Sequence, residues 1–92
     1  MEAIQKLELM DKILREMEDL KNSEAAVVQK IAKMDIDNMT LSDKELDDKL
    51  IDVHTEAANL VDHITEVQIE FEMKRNRFEI EYHPTTPKSE GK

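Results

Sequence analysis

A chain of 92 residues with no cysteine, 13 basic and 22 acidic residues and a net charge of −9 can form one domain at most and cannot be held by disulfides. Its sign argues against general binding to nucleic acid or to an anionic membrane surface, both of which need a basic face. One Gly, two Pro and 38% charged residues favour long helices over sheets. No apolar run approaches the roughly 20 residues of a membrane span. Charges from Glu2 to Lys12 are incompatible with a signal-peptide core. A soluble, cytoplasmic protein is expected.

The first predicted element is a helix over about 3–37, a stretch with neither Gly nor Pro. Met10, Ile13, Met17, Leu20, Glu24, Val27, Ile31 and Met34 alternate in steps of three and four, a near-heptad stripe that Leu14 and Val28 widen. Glu2–Lys6, Glu8–Lys12 and Asp11–Arg15 are expected as i,i+4 pairs on the outer face. Lys21 and Glu24 interrupt the stripe, and Asn22-Ser23 competes for helical hydrogen bonds. The pattern leaves room for a kink or break at 22–23.

A connector follows Asp37, and Ser42-Asp43-Lys44-Glu45 has the form of a capping box with Leu41 and Leu46 at the staple positions. A second helix over about 42–82 is predicted from it. Leu46, Leu50, Val53, Ala57, Leu60, Ile64, Val67, Phe71, Lys74 and Phe78 give five heptads in register. The last part of this run, from Val67 to His83, also alternates like two strands around Lys74–Arg77. As a hairpin it would set Glu72 opposite Glu79 and Glu70 opposite Glu81, which repel. As a helix it brings Glu70–Lys74, Glu72–Arg75, Arg75–Glu79 and Arg77–Glu81 together with attractive signs. Helix is therefore expected to Tyr82. His83 ends it, and Pro84 and Pro87 mark a disordered tail over 84–92.

The expected fold is all-α: one domain over 1–83, an antiparallel hairpin of two long helices with coiled-coil-like packing. At about 100° per residue, Val67, Phe71, Phe78 and Tyr82 share one face, while Ile69, Met73 and Ile80 lie nearly opposite. The second stripe needs another surface, so self-association into a helical bundle is expected. Ile69, Met73, Ile80, Phe78 and Tyr82 are the candidate interaction residues.

Catalytic chemistry has little support. His54 and His63 lack metal-site spacing. Asp35-Ile36-Asp37-Asn38 lacks the later ligands and the Gly of a calcium loop. No nucleophile sits with a base, and there is no Gly-rich phosphate loop. No cofactor or metal is expected. A turn near residue 40 would bring His54 towards Glu24 as a polar pair fixing register. Arg75 and Arg77, beside Tyr82, are candidate anion contacts at an interface.

The expected function is a non-enzymatic protein–protein interaction module, such as an adaptor, assembly factor or small regulator. It would be homo-oligomeric and bind protein partners, with no direct contact to nucleic acid or membrane. The alternative is a small acidic inhibitor of the phage type that blocks a basic nucleic-acid- or ligand-binding cleft. The interleaving of basic with acidic residues weakens that alternative.

Overall fold

The computed structural model describes residues 1–82; His83 and the 84–92 segment lie outside them. Helix α1 is Ala3–Leu41 and helix α2 is Lys44–Tyr82. They pack against each other as an antiparallel hairpin 62 Å long. Among the described residues there is no strand, and no helix is long and apolar enough to cross a membrane. The Val67–Tyr82 stretch is helical throughout, and of its four expected charge pairs Arg75–Glu79 closes at 2.7 Å.

Helix α1 begins where Gln5 Oε1 accepts from the Glu2 amide at 3.1 Å, satisfying one of the donors left over at a helix start. It then runs without interruption through Asn22-Ser23, so no break occurs there. It also passes Asp37 and continues to Leu41, four residues further than the sequence suggests. Asn38 is the cause. Its side chain is only 5% exposed. Its Nδ2 donates to the Asp43 carbonyl at 2.9 Å, and its Oδ1 accepts from the Asp43 amide at 3.2 Å. That clamp closes the connection while Asn38 is still helical.

The connection is Ser42-Asp43 alone. Ser42 is left-handed (φ 63°, ψ 37°), the conformation that commonly terminates helices. Its amide donates to the Asn38 carbonyl at 2.6 Å. The expected Ser42–Glu45 capping box does not form, because Ser42 is spent on ending α1. Asp43 caps α2 instead, its Oδ1 accepting from the Leu46 amide at 2.9 Å, and Glu45 and Asp47 lie in the first turn where the helix dipole favours them.

The seam between the helices differs from the expected stripes by one row on each. On α1 the half-buried or buried residues include Leu7, Met10, Leu14, Met17, Lys21, Glu24, Val28, Ile31, Asp35 and Asn38, again in steps of three and four. Met10, Met17, Glu24 and Ile31 were expected. Ile13, Leu20, Val27 and Met34 are displaced to the flank, and the last three are exposed. On α2 the seam is Leu50, His54, Ala57, Val61, Ile64, Gln68, Phe71, Arg75 and Phe78. Leu46, Val53, Leu60, Val67 and Lys74 are left exposed beside it.

The reason is geometric. Each helix has an apolar stripe three rows wide, and one facing helix covers only two rows. The polar side chains decide which two. Asn38 must face the turn, and Arg75 and Gln68 find partners across the seam only in the observed register.

A candidate protein-docking face

The displaced rows fall on one side of the hairpin. Ile13, Leu20, Val27, Met34 and Leu41 recur every seven residues on α1, and Leu46, Val53, Leu60 and Val67 do so on α2. Two shallow clefts join them across the seam. One, of about 190 Å³, is lined by Met34 and Leu41 from α1 and by Leu46 and Leu50 from α2, with Asp37 and Asn38. The other, of about 510 Å³ at the open end, is lined by Met10 and Ile13 from α1 and by Phe71 and Lys74 from α2, with Met1, Lys6 and Leu9. The face between them runs for about 40 Å, the rise of the helix from Ile13 to Leu41. Ile13 is half-buried, and the exposures of the others range from Val27 at 39% to Leu41 at 69%.

Charge is distributed unevenly around the molecule. The apolar rows and the rows bordering them carry Lys6, Lys30, Lys49, Lys74 and Arg77 against Glu2, Glu16, Glu24, Asp37, Glu56, Glu70 and Glu81. That side is nearly balanced. Most of the negative charge of the chain is therefore held by the other rows. It is densest at the start of α2, where Asp43, Glu45, Asp47, Asp48 and Asp52 are interrupted only by Lys44 and Lys49 among the charged residues.

The seam holds the main polar contacts between the helices. Arg75 Nε is 2.7 Å from Asp11 Oδ1 and its Nη2 is 3.3 Å from Asp11 Oδ2, while Nη1 reaches Glu79 Oε1 at 2.7 Å. The hydrogen bond to Asp11 is the first cause of a raised Arg75 pKa, with the charges of Asp11 and Glu79 adding to it. Gln68 Nε2 donates to Glu18 Oε1 at 2.7 Å. That bond first, and Lys21 second, hold the exposed Glu18 carboxyl below its ordinary range. Asp11 thus turns to Arg75 across the seam rather than forming the ladder pair with Arg15.

The sequence-derived site residues fall in three places. Ile69, Met73 and Ile80 are on the outer side of α2, away from α1, and are 53%, 56% and 71% exposed. Phe78 belongs to the seam: it is half-buried, its ring centroid is 4.5 Å from that of Tyr82, and Lys6 Nζ lies 5.0 Å above it. Tyr82 remains exposed at the open end. Arg75 is committed to Asp11 and Glu79, and Arg77, two residues on, points elsewhere, since i,i+2 neighbours on a helix do not share a face. The two arginines therefore do not converge on an anion within one hairpin.

Glu24 and His54 are not brought together. The cross-seam contacts Asp11–Arg75 and Glu18–Gln68 put His54 level with residue 32, so Glu24 is eight residues away, about 12 Å along the axis. The expected turn near residue 40 falls short because α1 continues to Leu41. His54 instead lies within a turn of Asp35, whose Oδ1 is buried with no hydrogen-bond partner. Among the described residues no three His, Asp or Glu side chains gather as metal donors.

Sequence reasoning missed the nine-residue apolar face as a surface. Most of its members were legible as apolar positions, but they were placed in the seam. The seven-residue recurrence of Leu20, Val27 and Met34 beside that of Met17, Glu24 and Ile31 was the available signal. Compared with known protein families, characterised proteins and solved structures, the chain matches none.

Proposed function

We propose that the protein is a non-enzymatic protein–protein interaction module, an adaptor, assembly factor or small regulator that works in the cytoplasm through helix packing and self-association. One observation carries this reading: a nearly charge-balanced apolar face about 40 Å long on an otherwise acidic hairpin. Nine side chains of this kind, many of them about half exposed, offer on the order of 600 Å² of apolar surface. The largest apolar patch on a typical monomer is roughly 300–600 Å² and is often functional.

A second reading, the acidic inhibitor of a basic cleft, is favoured by the acid-rich start of α2. The two modes differ in salt response. Docking through an apolar face should change little in affinity between about 0.1 and 0.5 M salt, whereas charge mimicry should weaken steeply as the Debye length shrinks. The test is capture of partners on the immobilised full chain across that range, beside a Leu20→Glu/Leu60→Glu variant. Capture that resists salt and is lost in the variant supports the module. Capture that fails at high salt and survives in the variant overturns it in favour of the inhibitor.

A further inference from the structure

We infer that the apolar face receives a second copy of this chain, face to face, so that two hairpins close into a four-helix bundle. The inference rests on the protein-docking reading and names the occupant and the surface.

Three observations point to a second copy rather than to a different protein. The first is the width of the stripes. A helix that contacts a single neighbour needs two apolar rows, whereas a helix in a bundle contacts two neighbours and carries a third. Both helices here carry the third row, and both third rows open on the same side, as the two clefts joining α1 to α2 show. A partner that matches such a surface must itself present two antiparallel apolar rows about 40 Å long, and another copy of this hairpin does so.

The second is charge. Two molecules each carrying −9 repel in general, yet the rows on and beside this face hold five basic and seven acidic residues, a small part of that charge. Copies meeting on this side juxtapose nearly neutral surfaces and leave their acid-rich rows in solvent. A basic partner would be drawn to the other sides. The outer patch of Ile69, Met73 and Ile80 is narrower, sits on α2 alone and would remain on the outside of the bundle, free for a different protein.

The third is area. About 600 Å² of apolar surface per chain, together with the bordering polar rows, approaches the roughly 800 Å² per partner of a standard stable interface. The outer patch has three large apolar side chains and falls well short of it.

The test is the solution mass of the full chain by light scattering. It is compared with Leu20→Glu/Leu60→Glu on the face and Ile69→Glu/Ile80→Glu on the outer side, with helicity checked by circular dichroism. The expected result is a dimer for the wild type, a helical species of half that mass for the face variant, and a dimer for the outer variant. A dimer that survives the face substitutions and is lost with the outer ones overturns the inference and leaves the interaction-module reading standing. A wild type that stays monomeric overturns second-copy docking and the self-association part of the proposed function, while partner capture and its salt response still decide the interaction-module reading separately.

Because the chain has no cysteine, a single introduced thiol gives a readout that does not depend on a charge in the interface. Alkylation of Leu60→Cys should slow by at least about tenfold as protein concentration is raised through the dimerisation range, and that of Ile69→Cys should not change. Equal, concentration-independent rates at both positions would contradict docking on this face.

Discussion

The two ends of the hairpin and its waist are built differently. Leu7 and Met10 are buried at the open end, and Ile31, Asn38 and Leu50 at the turn end. Between them, over residues 11–30 of α1 and 51–75 of α2, no side chain is buried. The seam there includes Lys21, Glu24, His54, Gln68 and Arg75, while Leu20, Val27, Val53, Leu60 and Val67 stand exposed beside it. The ends hold what core the hairpin has, with these apolar side chains covered and the turn's polar groups paired, although Met34, Leu41 and Leu46 at the turn end remain on the open face. The waist keeps polar groups in half-buried positions and apolar ones in water, which suits a surface waiting to be covered. In a small chain, where burial is scarce, docking of the proposed second copy on this waist would tie folding to assembly.

The largest contrast should come from truncating side chains at the two kinds of site. Ile31→Ala or Leu50→Ala, both at the turn end, should cost about 2–4 kcal/mol, since each removes a side chain at most 6% exposed. In dilute solution Leu20→Ala at the waist should cost less than about 1 kcal/mol. Urea unfolding monitored by helicity measures both. Equal losses would mean that the waist is as well packed as the ends.

Next in size is the turn clamp. Asn38→Ala removes two hydrogen bonds and leaves the amide and carbonyl of Asp43 without their partner, an expected loss of about 1–3 kcal/mol. Asn38→Asp should recover part of it, because Oδ1 can still accept from the Asp43 amide. Thermal melts of the two variants would show this ordering.

At the boundary between waist and open end, Arg75→Ala should cost about 1–2 kcal/mol. Its guanidinium forks onto Asp11 and also holds Glu79, with only 19% of the side chain exposed. Arg75→Lys should retain less than half of the contribution, since a lysine cannot make the fork. A double-mutant cycle with Asp11→Ala isolates the pair.

The smallest effect concerns pH. Glu18 is lowered in the folded chain by the Gln68 hydrogen bond and then by Lys21. A depressed carboxyl contributes stability above its unfolded value and loses it as pH falls through the folded one. Acidification below the ordinary carboxylate range should therefore weaken the waist slightly, and Gln68→Ala should remove much of that dependence. Melting curves of the two proteins across the range would reveal it, and an unchanged acid slope in Gln68→Ala would show that the contact carries no linkage.

Much of the fold is legible in the sequence. The absence of Gly and Pro from both long stretches, the sustained apolar recurrence and the signs of the charges around Lys74–Arg77 together specify two helices and reject a β-hairpin. The seam is harder to read. A stripe three rows wide accommodates two seams equally well, and choosing the most apolar pair of rows selects the wrong one. The choice is made by contacts distant in sequence: Arg75 with Asp11, Gln68 with Glu18. The turn is ambiguous for a related reason. Ser42 and Asp43 are both good caps, and only the side chain of Asn38, reaching five residues ahead, assigns Ser42 to the end of α1 and Asp43 to the start of α2. The expected Glu24–His54 pairing fails with the turn position. The open apolar face is concealed because its residues are already accounted for as core.

The central claim is that the ends hold the hairpin while the waist is completed by a second copy. The most direct measurement is the melting temperature of the full chain over a hundredfold range of protein concentration. If a second copy covers the waist, melting should shift upward by several degrees with concentration, as mass action requires. The shift should vanish in Leu20→Glu/Leu60→Glu and persist, from a lower starting point, in Leu50→Ala. Superimposable curves at all concentrations would contradict the claim and mean that one hairpin is stable with its apolar face open to water.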